Sequence, residues 1–163
     1  MKLGKKTILL VGVPLGLAVA GGLAFVTLGS AKEPVKIPDP RQGQHGFMLA
    51  LDERVINLKP SQAGGYRYAK VGLTVEIRPD AASYYDLVGK ARSDADKEYL
   101  AAHAPDVPLL LDALGQTVSA DDSATLASPD GRAALKDEIL TEARKILGED
   151  AVLDVYFTDL VMQ

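Results

Sequence analysis

The stretch ILLVGVPLGLAVAGGLAFVTL, Ile8 to Leu28, runs for 21 residues without a charge and constrains this chain more than any other segment. As an α-helix rising ~1.5 Å per residue, it is long enough to cross a hydrocarbon layer about 30 Å thick. Lys2, Lys5 and Lys6 stand directly before it. A cleaved secretory signal ordinarily has an apolar core of only ~7–15 residues and a small-residue exit. Leu28-Gly29-Ser30-Ala31 fits such an exit poorly. The expectation is therefore one uncleaved transmembrane helix over residues 8–28, preceded by a stub over residues 1–7. Lysines on a short stub favour keeping it in the cytoplasm and translocating the rest of the chain. That predicts a single-pass protein of the bacterial inner membrane with a periplasmic C-terminal domain. Gly12 and Gly16 make a GxxxG pair, a face on which a second membrane helix could pack.

Residues 29–46, GSAKEPVKIPDPRQGQHG, carry Pro34, Pro38 and Pro40 among scattered glycines and show neither helix nor strand period. They read as a tether with a reach of roughly 20 Å or more if flexible. From residue 47 onward, twelve Lys and Arg face twenty Asp and Glu, a net charge of about −8. No basic cluster exists there to release counterions, so nucleic acid and anionic headgroups are not expected partners of this domain. The chain has no cysteine, so its fold rests on an apolar core rather than on disulfides.

The domain, residues 47–163, opens with FMLALDERVINLK. Its apolar residues change face around Asp52–Glu53, as in a strand with a bulge. YRYAKVGLTVEIR has the clearest two-residue period. Ala69, Val71, Leu73, Val75 and Ile77 share one face; Tyr68, Lys70, Thr74 and Glu76 share the other, toward water or a partner. Asp80 is expected to cap a helix carrying Tyr84, Leu87, Val88 and Ala91. The polar insert Ser93–Glu98 either breaks or extends it. Asp106 is expected to cap a second helix, with Val107, Leu110, Leu111, Leu114 and Val118 along one stripe. SADDSATLASPDG reads as a loop ending at the N-cap Ser128, with Pro129 in the first turn of a third helix that stops at Gly148. The last segment is rich in Val, Tyr, Phe and Thr and reads as a strand, with Leu153, Val155 and Phe157 toward the core. The predicted fold class is α+β: a small antiparallel sheet of about three strands, in the order β-β-α-α-α-β, packed on helices.

Catalytic chemistry finds little support. His45 lies in the tether and His103 beside Ala104-Pro105, far apart in sequence and best read as ordinary surface residues. No phosphate-binding glycine loop, nucleophile elbow or zinc-binding HExxH occurs. The acid pairs Asp121–Asp122 and Asp94/Asp96 read as solvated loop carboxylates. Tyr66, Tyr68, Tyr84 and Tyr85 could bind a peptide or glycan, although packing across strands explains them more simply. No cofactor or metal is expected. A membrane-anchored domain with no catalytic constellation reads as a scaffold or interaction module. The rival reading is a periplasmic ligand-binding module for a peptide, glycan or cation.

Four segments carry a family resemblance. VYFTDLVMQ (155–163) comes after GRAALKDEIL (131–140), and VINL (55–58) precedes YRYAKVGLTVEI (66–77). Together they resemble the FliL family of flagellar basal body-associated proteins. That family closes on a V-Y-F-T-x-F-V-x-Q-like strand after a G-x-x-x-L-K-x-E-I helix. Here Leu160 replaces a common aromatic, Ala143-Arg144 replaces a more usual Ile-Asn, and Ser93–Ala104 is longer than the usual connection. The resemblance implies an inner-membrane protein whose periplasmic domain is similar in fold to the stomatin/prohibitin (SPFH) core. It implies association with the MotA/MotB stator units and the MS ring, self-association, and no enzymatic activity. The outward set Tyr68, Lys70, Thr74 and Glu76 is the candidate interface.

Overall fold

A computed structural model of the protein describes residues 43–61 and 64–163. The expected stub, the expected span at 8–28 with Gly12 and Gly16, and most of the tether lie outside the described residues. Among the described residues, no helix is long and apolar enough to cross a membrane.

Strand β1, Phe47–Asn57, pairs antiparallel with β2, Tyr68–Ile77, and β2 pairs antiparallel with β3, Val152–Met162. The order is β1-β2-β3, so β2 is the middle strand. The change of face read from the sequence is a bulge: Leu51 pairs with Leu73 but Arg54 with Val71, leaving Asp52 and Glu53 opposite one residue. Phe47, Leu49 and Leu51 are buried before the bulge, and Ile56 and Leu58 after it. One extra residue thus returns the apolar set to the core side.

The chain after β2 departs from expectation. Asp80 caps no α-helix; one 3-10 turn, Ala82–Asp86, buries Tyr84 and ends at Leu87. Gly89 has φ +56°, a left-handed conformation open to glycine, and there α1 begins, Gly89–His103. Val88 is exposed, so the expected stripe from Tyr84 through Ala91 does not form. Ser93–Glu98 lies inside α1, where Lys90–Asp94 and Arg92–Asp96 pair across one turn. Asp94 and Asp96 are helical residues, not loop acids.

Helix α2 spans Val107–Ser119 and buries Leu110, Leu111, Leu114 and Val118. Asp106 precedes it in helical conformation without a side-chain cap bond, because its carboxylate lies 3.2 Å from His103 Nδ1. The expected loop at 119–131 contains a five-residue helix α3, Ser123–Ala127, capped by Asp122, which accepts the Thr125 N–H at 2.9 Å. Among the described residues the sheet therefore packs with four helices rather than three. Helix α4, Pro129–Leu147, obeys the expected signals: Ser128 Oγ accepts the Gly131 N–H at 2.9 Å, and Gly148 ends it at φ +111°.

Ala69, Val71, Leu73, Val75 and Ile77 are each no more than 1% exposed, and Leu114, Val118, Leu126, Leu135 and Val155 complete the centre of the core. Strand β3 shifts register twice, between its partners to Glu76 and Ile77 and between those to Gly72 and Leu73. Val155 is buried and Phe157 packs against the core, as expected. Leu153 is skipped by the ladder and only half-buried, and Val152 occupies the buried position instead. The terminus is tied down: Gln163 donates to Tyr68 O at 2.8 Å and accepts from Arg67 and Tyr68 N–H at 3.0 Å.

Gly131 opens α4 against the end of α3. A Cβ there would lie 2.0 Å from Thr125 O, a backbone atom with no room to yield. Gly131→Ala is expected to cost about 1–3 kcal/mol through overpacking, read as a lower midpoint in urea unfolding. An unchanged midpoint would refute that reading of the contact.

Candidate interaction surface

The second face of the sheet is the one the core does not use. Its middle strand contributes Tyr68, Lys70, Thr74 and Glu76; by register β1 adds Met48, Ala50 and Val55, and β3 adds Asp154, Tyr156 and Val161. Val55 is 70% exposed, Tyr68 47%, Val161 44%, Met48 38% and Tyr156 36%. By register Val55, Tyr68 and Val161 gather around Lys70, and Met48 and Tyr156 lie toward Glu76, so the exposed apolar groups of this face form a candidate interaction surface in two clusters.

Across this patch runs a charged tie. Lys70 Nζ lies 2.7 Å from Glu53 on β1 and 3.0 Å from Asp159 on β3, so one ammonium spans all three strands. Its hydrogen bonds to Glu53 and Asp159 hold it above the usual lysine range. One ammonium between two carboxylates leaves this tie with a net charge of about −1, so the face presents a charged centre beside its apolar groups and amphipathic tyrosines.

Glu76 behaves differently from its three neighbours. Lys70 and Thr74 are half-buried, but Glu76 is only 3% exposed, which corrects the expectation of a solvent-facing carboxylate. Its Oε1 accepts the Gly46 N–H at 2.8 Å and its Oε2 accepts the Tyr156 hydroxyl at 2.6 Å. His45 Nδ1 stands 3.6 Å from the same Oε1. The bond to Glu76, with burial, raises the Tyr156 hydroxyl well above the usual phenol range, so it stays a donor. Lys136 of α4 reaches Asp154 at 3.0 Å and approaches the Tyr156 ring to 5.3 Å. A buried carboxylate with donors on both oxygens is a structural group, since N–H and O–H donors already occupy the sites a substrate would need.

The four tyrosines read together from the sequence are not together. Tyr84 is buried at the Ile77 end of β2, edge-on to Tyr99, which stacks on Phe47. Tyr66 and Tyr68 lie at the other end, about 30 Å away at ~3.3 Å per strand residue. Burial, then the bond to Asp96, drives the Tyr84 hydroxyl well above the usual phenol range. His103 stacks on Tyr99 and faces Asp106, whereas His45 faces Glu76, so the two histidines have different partners. Among the described residues, no group of three His, Asp or Glu could hold a metal ion. Asp122 is occupied by its helix cap, which lowers its carboxyl below the usual range.

The family described as "Flagellar basal body-associated protein FliL" matches residues 48–163. The chain belongs to the FliL family. It is also 30% identical over 129 residues to "Flagellar protein FliL" of Aquifex aeolicus (strain VF5), a match covering 78% of this chain and 68% of that relative. Membership makes this a flagellar basal body-associated protein. The FliL-like motifs now have physical roles. VYFTDLVMQ lies in the strand that completes the sheet, GRAALKDEIL opens α4 with the glycine its contact with α3 requires, and Leu160 packs against the core opposite Val71. Alternation along β3 turns Tyr156 away from the core, but the candidate interface read from the sequence includes neither it nor Met48, Val55 and Val161; strand register places them on the face of Tyr68 and Lys70.

Proposed function

We propose that this FliL protein is a non-enzymatic scaffold of the flagellar motor, held in the inner membrane by residues 8–28 with its C-terminal domain in the periplasm. It self-associates through the open sheet face and associates with the MotA/MotB stator units near the MS ring, supporting stator engagement, torque, and swimming or swarming. The SPFH-like fold that the family resemblance implies would accord with such assembly. The observation that carries this reading is the sheet face on which Met48, Val55, Tyr68, Tyr156 and Val161 lie exposed, in a three-stranded sheet whose two outer strands have no further strand partner among the described residues. The alternative, a ligand-binding module, loses its aromatic basis once Tyr84 is buried away from Tyr66 and Tyr68.

The test uses exposed positions, so that folding is spared. Val55→Asp combined with Tyr68→Asp is expected to shift the protein toward monomer in sedimentation at high concentration and to shrink the swarming zone of a strain carrying it. Sedimentation identical to the parent, with a normal swarming zone, would rule this face out.

A further inference from the structure

The chain enters the domain through residues 43–46, where Gln44 reaches Asp86 at 3.4 Å and two further side chains grip Gly46. Gly46 donates its N–H to Glu76 of β2 at 2.8 Å. Arg92 of α1 donates from one guanidinium nitrogen to His45 O at 3.3 Å and Gly46 O at 3.0 Å. Arg92 is itself fixed: its Nε donates to Asp96 at 3.1 Å and its guanidinium carbon lies 4.0 Å above the Tyr84 ring. Glu76 is fixed from the far strand by Tyr156. Gly46 is pressed so closely to β2 that a Cβ on it would lie 2.3 Å from Ile77 O.

This arrangement matters because β1, the strand that continues from the junction, is an edge strand whose one strand partner among the described residues is β2. Tension on the preceding chain would otherwise act on β1 first. We propose that Glu76 and Arg92 form a clamp that passes tension from the preceding chain directly into the middle strand β2 and helix α1. Bonds to ionised groups are roughly twice as strong as neutral ones, and here a carboxylate and a guanidinium hold the N–H and the C=O of one glycine. Glu76 thus couples the junction to β2 and, through Tyr156, to β3, while Arg92 couples it to α1. The clamp bears on function through the reading that residues before 43 tether the domain, but its mechanical test does not depend on what that tether is attached to.

Because the chain lacks cysteine, attachment points can be introduced singly. The full chain in detergent is pulled between Arg41→Cys and Gln163→Cys, and separately between Ala120→Cys and Gln163→Cys, which bypasses the junction. Arg92→Ala is expected to lose about a third of the unfolding force in the first geometry, as charge-assisted bonds are removed, and to match the parent in the second. Glu76→Gln, whose bond to Tyr156 lies on the strand pulled in both, is expected to lose more in the first than in the second. Equal losses in both geometries would overturn the clamp by showing a general loss of stability, and no loss in either would overturn it by showing that the junction carries no tension.

Discussion

A chain truncated after Val155 is expected to show no cooperative thermal transition. The deletion removes Tyr156–Gln163, and with them the partners of β2 from Ala69 to Thr74. Val71 and Leu73, essentially inaccessible in the folded protein, would lose their cover from Leu160 and Phe157. Each large apolar side chain returned to water costs about 1.5–3 kcal/mol. Several such losses, with the ladder bonds, match the roughly 5–15 kcal/mol that holds an ordinary domain together. Circular dichroism on heating is the measurement. A truncated protein that melts like the intact one would show that β3 is dispensable.

Glu76→Lys is the second large effect. On an exposed strand face a charge reversal would change stability little, typically within ~0.5 kcal/mol. Here it replaces a buried acceptor by a buried cation, leaving the Gly46 N–H and the Tyr156 hydroxyl with no acceptor at that site. Breaking a buried charged network by changing one partner commonly costs ~3–5 kcal/mol. The expected result is a sharply lowered urea midpoint, with Glu76→Gln retaining most of the stability because the amide oxygen can still accept the Gly46 N–H while its NH2 donates to the Tyr156 hydroxyl oxygen. A Lys variant as stable as the parent would mean that the carboxylate is not enclosed as the structure shows.

Much of the fold was legible because periodicity reports burial directly. The alternation over Tyr66–Arg78 named all five core residues of β2, and Ser128, Pro129 and Gly148 bounded α4 through local backbone chemistry. The failures have local causes as well. Asp80 and Asp106 have the right residue type for caps, but capping also needs an extended backbone and a free carboxylate, and Asp106 has neither. The helix over Ser93–Glu98 has almost no apolar stripe, since it packs through Arg92, Asp96 and Tyr99, whose partners Gly46, Tyr84 and Phe47 lie outside it in sequence. Glu76 looked outward by parity, and parity was right about its side of the sheet. Its burial arises from Gly46 and Tyr156, 30 and 80 residues away in sequence, which no local pattern can register.

The middle strand also sets an order of events during folding. Strands β1 and β2 can meet as soon as both exist, because only a short loop separates them. The second edge of β2 waits for β3, and the Glu76–Tyr156 bond closes a span of 80 residues. Contacts between residues so distant in sequence carry a loop-closure cost before they give any stability, which slows folding. Until β3 arrives, β2 offers an unpaired edge and the uncovered side chains Val71, Leu73 and Val75, a surface that other chains can join. The docking of β3 is therefore the step expected to limit folding, and the window for misassembly would last as long as that step takes.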